Sequence, residues 1–461
     1  MAGAVYGLQN QANNSNPEDT PSPTESACIV DEVNLEEKRF SSGERELFSE
    51  NNTNRDLNWG INEFKSGKYR DAKEFFGKAR DADRVDPEAK IYYNNALARE
   101  NANPFKIAAV VPIDSRGTSA KEILRGIADA QDAFNKAQGI GNSLLEVVII
   151  NDGNDPTIAA RVAQYINEDG EFLGVIGHNS SEASKAALPC YQENSIAMIS
   201  PTATSTSLQG GNFFRTVANN KEMAKVMGKY VKNDLKSDNV VIFYDDKSNY
   251  SKSFLEELEK DLDSAVIKNK ININPPDFDV EDNVERNIPQ TEEEKKKSVA
   301  ILLPSTETTS VAIRIAKKID KQIDVLGSDT LYLPDTLIQG GNSIEDMVVV
   351  TPITIAEDYQ QSAATSWGGY INWRTVSAFD ATQALIEAIN NAADDYNNPT
   401  QKDILNQLPL INNNGVKSEA SNKLLTFKDG ERVSEPVLVR ASSNAPATPQ
   451  GSEFGFTELS P

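Results

Sequence analysis

Cysteine and histidine are almost missing from this chain: Cys28, Cys190 and His178 are the only ones among 461 residues. Two cysteines exclude a disulfide scaffold and a thiolate zinc site. They leave open a single bridge, because pairing depends on a distance that sequence does not supply. One histidine gives a Ser-His-Asp arrangement only one possible base, and no G-x-S-x-G nucleophile elbow accompanies it. His178 therefore reads as a polar residue satisfied near a cleft. There is no P-loop, no HExxH and no Cys/His cluster, and no G-x-G-x-x-G follows the first apolar strand. No catalytic residue, metal or cofactor is expected. Positive charge is scarce too, with 69 acidic against 46 basic residues and a net charge of −23. A surface that acidic repels phosphate backbones and anionic lipid, which disfavours nucleic-acid and membrane-surface roles. No apolar run approaches the ~18 residues of a membrane-spanning helix. The first residues, MAGAVYGLQNQ, carry neither a basic n-region nor a long apolar h-region. The expectation is either a cytoplasmic protein or an exported one whose signal or anchor has been removed.

What is present fits a soluble globular protein, with 38% hydrophobic and 25% charged residues and length for roughly three domains of ~150 residues. Residues 1–50 and 442–461 are poor in large apolar side chains and read as a disordered leader and tail. Residues 51–103 have helical spacing of apolar or small residues (Ile61, Phe64, Tyr69, Ala72, Phe76, Ala79), a break at Gly67 and a third helix opened by Asp86-Pro87. With Gly60, these positions resemble a tetratricopeptide repeat. One repeat cannot bury a solenoid face alone, so it either caps the neighbouring domain or engages a partner.

From Phe105 the texture changes to strand–helix alternation. FKIAAVVPI, LLEVVII, FLGVIG, IAMIS, NVVIFY, VAILLP, QIDVLG and MVVV are apolar runs separated by amphipathic stretches. Continuous apolar strands between such helices predict parallel sheets covered on both faces, here in two successive α/β halves. The charged 275–297 segment interrupts the second half and reads as a solvated loop or short helix.

In doubly wound sheets the ligand sits at the carboxyl ends of strands, on the loops that open helices. After FLGVIG comes HNSSEASKAAL, where Asn179 and Glu182 have capping-box spacing and Ser180 and Ser181 would point their N–H groups outward. After IAMIS comes PTATSTSL, rich in hydroxyls. Two neighbouring strand ends would thus offer an anion site, although each feature taken singly reads equally as a helix cap. After QIDVLG, Asp329 is either an N-cap or an acid in the cleft. After NVVIFY, Tyr250 either closes over a ligand or packs at a helix start. An anion hole in one half facing a carboxylate and an aromatic ring in the other complements a zwitterion.

The run VIGHNSSEASKAALPCYQENSIAMISPTATSTSL resembles the signature of the leucine/isoleucine/valine-type periplasmic binding proteins, the type 1 solute receptors of ABC importers. AAVVPI with LRGIADAQDAFN, VVIFYDDKSNYSKSF, FDATQALIEAI and LTFKDG extend the likeness over about residues 105–441. The preceding helical repeat resembles a cyanobacterial version of that family. The resemblance implies two hinged doubly wound α/β lobes, 104–221 plus 353–432 and 222–352 plus 433–441, that close on a free amino acid. It implies a monomeric, non-enzymatic periplasmic receptor delivering its ligand to a membrane permease of an ABC importer. By the same likeness Ser181, Thr202 and Thr204 hold the α-carboxylate, with Ser180 beside them. Tyr250 corresponds to the family's ligand-site tyrosine after the first second-lobe strand, Asp329 pairs with the α-ammonium, and Arg116 and Ser119 reach the side chain. Family members often carry an apolar residue where Asn179 stands, and Glu where Asp329 stands; Asn179 with Arg116 points to a polar ligand. A sensor of the same fold, with the helical repeat docking a signalling partner, and a receptor for urea or short amides are the alternatives.

Overall fold

The computed structural model describes residues 28, 35–48, 54–101, 103–263, 266–395, 398–413, 416–445 and 452–459. The apolar runs form strands at the centres of two sheets. Phe105–Val111 and Leu145–Asn151 pair in parallel over their whole length, from Phe105 opposite Leu145 to Val111 opposite Asn151. Their Val, Ile and Ala side chains are buried almost throughout because helices lie on both faces.

One eight-stranded sheet runs in the order 40–41, 145–151, 105–111, 172–176, 198–200, 213–215, 431–432, 427–428. A second, seven-stranded sheet runs 455–458, 437–442, 348–351, 324–327, 298–303, 239–244, 267–272. Each belongs to one α/β lobe. The interrupting charged segment carries two short helices, Val280–Asn287 and Glu292–Lys295, and the longer buries only Val280 and Val284.

Both chain ends depart from the expected disorder where they are described. Phe40–Ser41 adds an antiparallel edge to Leu145–Asn151. The buried carboxylate of Glu88 accepts from the N–H groups of Leu47 (2.6 Å) and Phe48 (3.3 Å). Cys28 forms a disulfide with Cys190, Cα–Cα 4.5 Å, so the pairing that sequence left open is made. At the other end Gly455–Glu458 pairs with Val437–Ser442, and Phe454 is buried beside it. Low apolar content misleads here because two or three anchoring side chains and an unpaired strand edge suffice to order a short segment. The remainder of 1–50 and of 442–461 lies outside the described residues.

The helical segment comprises Arg55–Lys65, Tyr69–Ala82 and Pro87–Glu100. A Cβ on Gly60 would stand 2.5 Å from the Phe76 ring, so only glycine allows the first two helices their approach. Phe76 lies 5.5 Å from Tyr92, carrying the stack into the third helix. That helix is buried against the first lobe, and its core is continuous with the sheet's. Asn95 donates to the Val147 carbonyl (2.8 Å) and accepts from the Val147 N–H (2.9 Å), imitating a partner strand along the 145–151 edge. Fully buried Arg125, paired with Glu122 at 2.6 Å, donates to the Val85 carbonyl at 2.8 Å and ties the helical segment to the long helix Ile113–Lys136.

The chain passes between the sheets three times, around residues 216–219, 352–356 and 433–436. The crossings are tied together: the Pro352 carbonyl accepts from the Ala218 N–H (3.1 Å) and the Ser434 hydroxyl (3.0 Å). Arg432 donates to the Thr216 carbonyl (3.1 Å) and pairs with buried Asp380. Bundled single strands of this kind allow two packed lobes to rock about one axis.

Candidate ligand-binding cleft

The helix Ser181–Glu193 opens directly after the strand Phe172–Ile176. Its N-cap is Ser180, whose hydroxyl accepts from the Ala183 N–H at 3.1 Å. Asn179, expected in that role, is instead held by Asn154, whose Oδ1 accepts from the Asn179 side chain (3.3 Å) and the Ser180 N–H (3.2 Å). The N–H groups of Ser181 and Glu182 are the first-turn donors that an α-helix leaves without intrahelical acceptors. Ser181 Oγ accepts from the Ser205 N–H at 3.3 Å, which leaves its own hydrogen to donate.

Freed from a capping box, Glu182 reaches across to the second lobe. Its Oε1 accepts from Ser248 Oγ (2.9 Å), Asn249 N–H (2.6 Å) and Tyr250 N–H (3.4 Å), at the start of the helix Asn249–Asp261. Further bridges cross between the lobes, among them those of Arg116 and Thr206. Arg116, at a kink in its helix, donates to the Thr306 carbonyl and stands 3.6 Å from Glu307. The Thr206 N–H donates to Ser253 Oγ (3.1 Å), and the two hydroxyls share a further hydrogen bond (3.0 Å).

The hydroxyl-rich loop 202–208 is shaped from beneath by Arg215. This buried guanidinium donates to the carbonyls of Ala203 (2.9 Å), Ser205 (3.1 Å) and Leu208 (3.0 Å), and pairs with Glu431 at 3.0 Å. Drawn inward, Thr204 is fully buried, its hydroxyl has no partner among the described residues, and it is not among the residues lining the cleft. Thr202 does line it, but its hydroxyl hydrogen goes to the Asn179 carbonyl at 2.7 Å.

On the second lobe, Asp329 begins a short 3-10 turn after the strand Asp324–Gly327, and Tyr250 sits in the first turn of Asn249–Asp261. The Tyr250 hydroxyl donates to Asp329 Oδ1 at 2.5 Å. Burial pushes the Asp329 carboxyl up to about 6, opposed by that hydrogen bond and by the nearby Arg374 charge. Burial, together with the Asp329 charge, likewise holds the Tyr250 phenol well above its ordinary range.

These residues meet in one cleft of about 550 Å³, open mouth included. Arg116, Ser119, Ser180, Ser181, Thr202, Tyr250 and Asp329 all line it; of the expected set only Thr204 does not. Sequence reasoning missed Glu182 as a cleft residue, and also Thr306, Thr309, Trp373 and Arg374. Trp373 and Arg374 open the long helix Trp373–Asp395 after another helix, Glu357–Trp367, rather than after a strand, so strand-end logic had no means of finding them. His178 lies outside the lining, fully buried, with Nδ1 2.7 Å from Asp152 and Nε2 3.1 Å from the Tyr191 hydroxyl.

Comparison with known proteins places this geometry. A profile of the family described as periplasmic binding protein matches residues 104–423. The leucine-, isoleucine-, valine-, threonine- and alanine-binding protein of Pseudomonas aeruginosa is 29% identical over 171 residues, 36% of this chain and 45% of that protein. Leu/Ile/Val-binding protein homolog 1 of Brucella abortus is 30% identical over 164 residues, 34% of this chain and 44% of that protein. The chain thus spans a little under half the length of these relatives. Among solved structures, the branched-chain amino acid transporter substrate binding protein LivJ of Streptococcus pneumoniae, in complex with isoleucine, superposes with a TM-score of 0.64 at 16% identity. It covers 77% of this chain and 100% of that one. The closed form of the leucine-, isoleucine-, valine-, threonine- and alanine-binding protein of Brucella ovis gives 0.65 at 15% identity, covering 78% and 95%. With two sheet-based lobes, a cleft at their strand ends and a family match over most of its length, the chain belongs to the periplasmic binding proteins, a family of solute receptors rather than enzymes.

Proposed function

We propose that the protein is an extracytoplasmic receptor for a free amino acid, closing its two lobes on the ligand and delivering it to the permease of an ABC importer. The observation that carries this reading is the pairing, in one cleft, of a helix start rich in donors (Ser180, Ser181) with a buried carboxylate held by a phenol (Asp329, Tyr250). The first suits an α-carboxylate, because first-turn N–H groups and hydroxyls stabilise negative charge. The second suits an α-ammonium, which forms charge-assisted hydrogen bonds with a carboxylate. The relatives compared above are named for amino-acid ligands, which supports the same reading. The Cys28–Cys190 disulfide supports an oxidising compartment, here the periplasm. Among the described residues no helix is long and apolar enough to cross a membrane.

A thermal-shift screen of the standard amino acids, urea and short amides, followed by calorimetry on the hits, tests the assignment. At least one amino acid stabilises the protein, and Asp329→Ala abolishes that response. Stabilisation by urea or amides with none by any amino acid overturns the assignment.

A further inference from the structure

Resting on the amino-acid reading, we infer that the ligand carries a second carboxylate, on its side chain, and that Arg374 and Trp373 receive it. Four charged side chains line the cleft: Arg116, Glu182, Asp329 and Arg374. Glu182 is taken by the helix start of the second lobe, and Arg116 by Thr306 and Glu307. Both act as contacts between lobes. Asp329 meets the α-ammonium. Arg374 also crosses to the second lobe, but through backbone carbonyls alone.

Its guanidinium is buried and donates to backbone carbonyls only, those of Tyr332 (2.9 Å) and Asp329 (3.5 Å). Among the described residues no carboxylate lies within ion-pair distance of it. Carbonyls satisfy N–H groups but do not neutralise a charge; the Asp329 and Glu122 carboxylates offset it only from beyond contact distance, and a buried cation without a contact partner is costly. Beside it, Trp373 is 1% exposed, and its buried indole Nε1 has no acceptor among the described residues. The guanidinium carbon lies 4.2 Å over the indole ring, so the two residues form one unit on the cleft wall. An indole N–H only donates, and a guanidinium only donates. The complementary group therefore accepts hydrogen bonds and carries negative charge.

The rest of the lining agrees. Among the described residues, Leu333 is the only aliphatic one in the lining, beside Ser119, Asn179, Thr306, Thr309 and Thr330. The Thr309 and Thr330 hydroxyls donate to the carbonyls of Ser305 (3.0 Å) and Pro304 (3.1 Å). A branched-chain side chain would still press hydrocarbon onto a polar wall, whereas a carboxylate suits it.

The wild-type chain itself decides the matter. Calorimetry, cross-checked by tryptophan fluorescence, compares L-glutamate, L-aspartate, L-glutamine and L-leucine. One of the two acidic ligands binds about tenfold or more tighter than glutamine and leucine, the scale of one charge-assisted contact. Arg374→Gln removes that preference, and Arg374→Lys retains part of it. Trp373→Phe weakens the acidic ligand more than glutamine or leucine. Glutamine or leucine binding as tightly as the acidic amino acids in the wild-type protein overturns the inference and leaves the amino-acid reading intact. Binding of no amino acid at all overturns both.

Discussion

The buried acid at the cleft makes two opposite demands on the molecule, and replacing it by its neutral isostere separates them. In Asp329→Asn the shape is kept and the charge is lost. The wild-type carboxyl titrates near 6 in the folded protein, against an ordinary value of 3.8, because burial disfavours its charged form. A folded pKa raised above the unfolded one contributes stability that is fully present below 3.8 and is lost as pH rises through 6. That shift of about two units corresponds to about 3 kcal/mol by pH 7.5. The Asn variant has no proton to lose. It should therefore gain on wild type by up to about 3 kcal/mol between pH 3.5 and 7.5, less about 1 kcal/mol where the Tyr250 hydrogen bond weakens. Urea unfolding of the ligand-free chain at several pH values reads this difference. Amino-acid binding should move the other way, weakening by at least ~2 kcal/mol, the scale for removing one partner of a buried charge pair. A stability difference between the two proteins that stays flat with pH would refute the burial argument. Unchanged amino-acid affinity would refute the role given to the carboxylate.

Three other perturbations follow from the contacts described. Glu182→Gln removes the charge that the first lobe places on the second-lobe helix start, which should cost the closed form about 1 kcal/mol and weaken apparent ligand affinity several-fold; a larger radius of gyration of the ligand-free protein in small-angle scattering checks it. Cys190→Ser opens a cross-link between residues 162 apart in sequence and should cost about 2–5 kcal/mol of stability, measured against the oxidised wild type by denaturant unfolding. Arg432→Met leaves Asp380 buried with only the Ser418 and Ser421 hydroxyls at the crossings; a loss of about 3–5 kcal/mol, read as a lowered unfolding midpoint, is expected.

Much of the cleft was legible because parallel strands impose position on function. A run such as FLGVIG or QIDVLG must be buried, so the residue that follows it must emerge at the sheet's carboxyl edge. Ser180, Ser181, Tyr250 and Asp329 were reachable by that rule alone, and the structure brings them into one cleft. Thr204 satisfied the same rule and was displaced inward, because Arg215, distant in sequence, gathers the carbonyls of its loop. The disorder expected of residues 35–48 failed for a similar reason: Glu88 and the bare edge of 145–151 supply partners that the local composition does not reveal.

The sequence by itself determined the layered α/β architecture, the division into two halves and the strand ends at which a ligand is met, since hydrophobic period and run length are local properties. Only the tertiary structure decided what each charged side chain faces. Glu182 looks like a helix cap in sequence and is a bridge between lobes in space. Arg374 looks like an ordinary helix residue and is a buried cation on the cleft wall. Burial and charge pairing depend on chains that arrive from elsewhere, and no local pattern encodes their arrival.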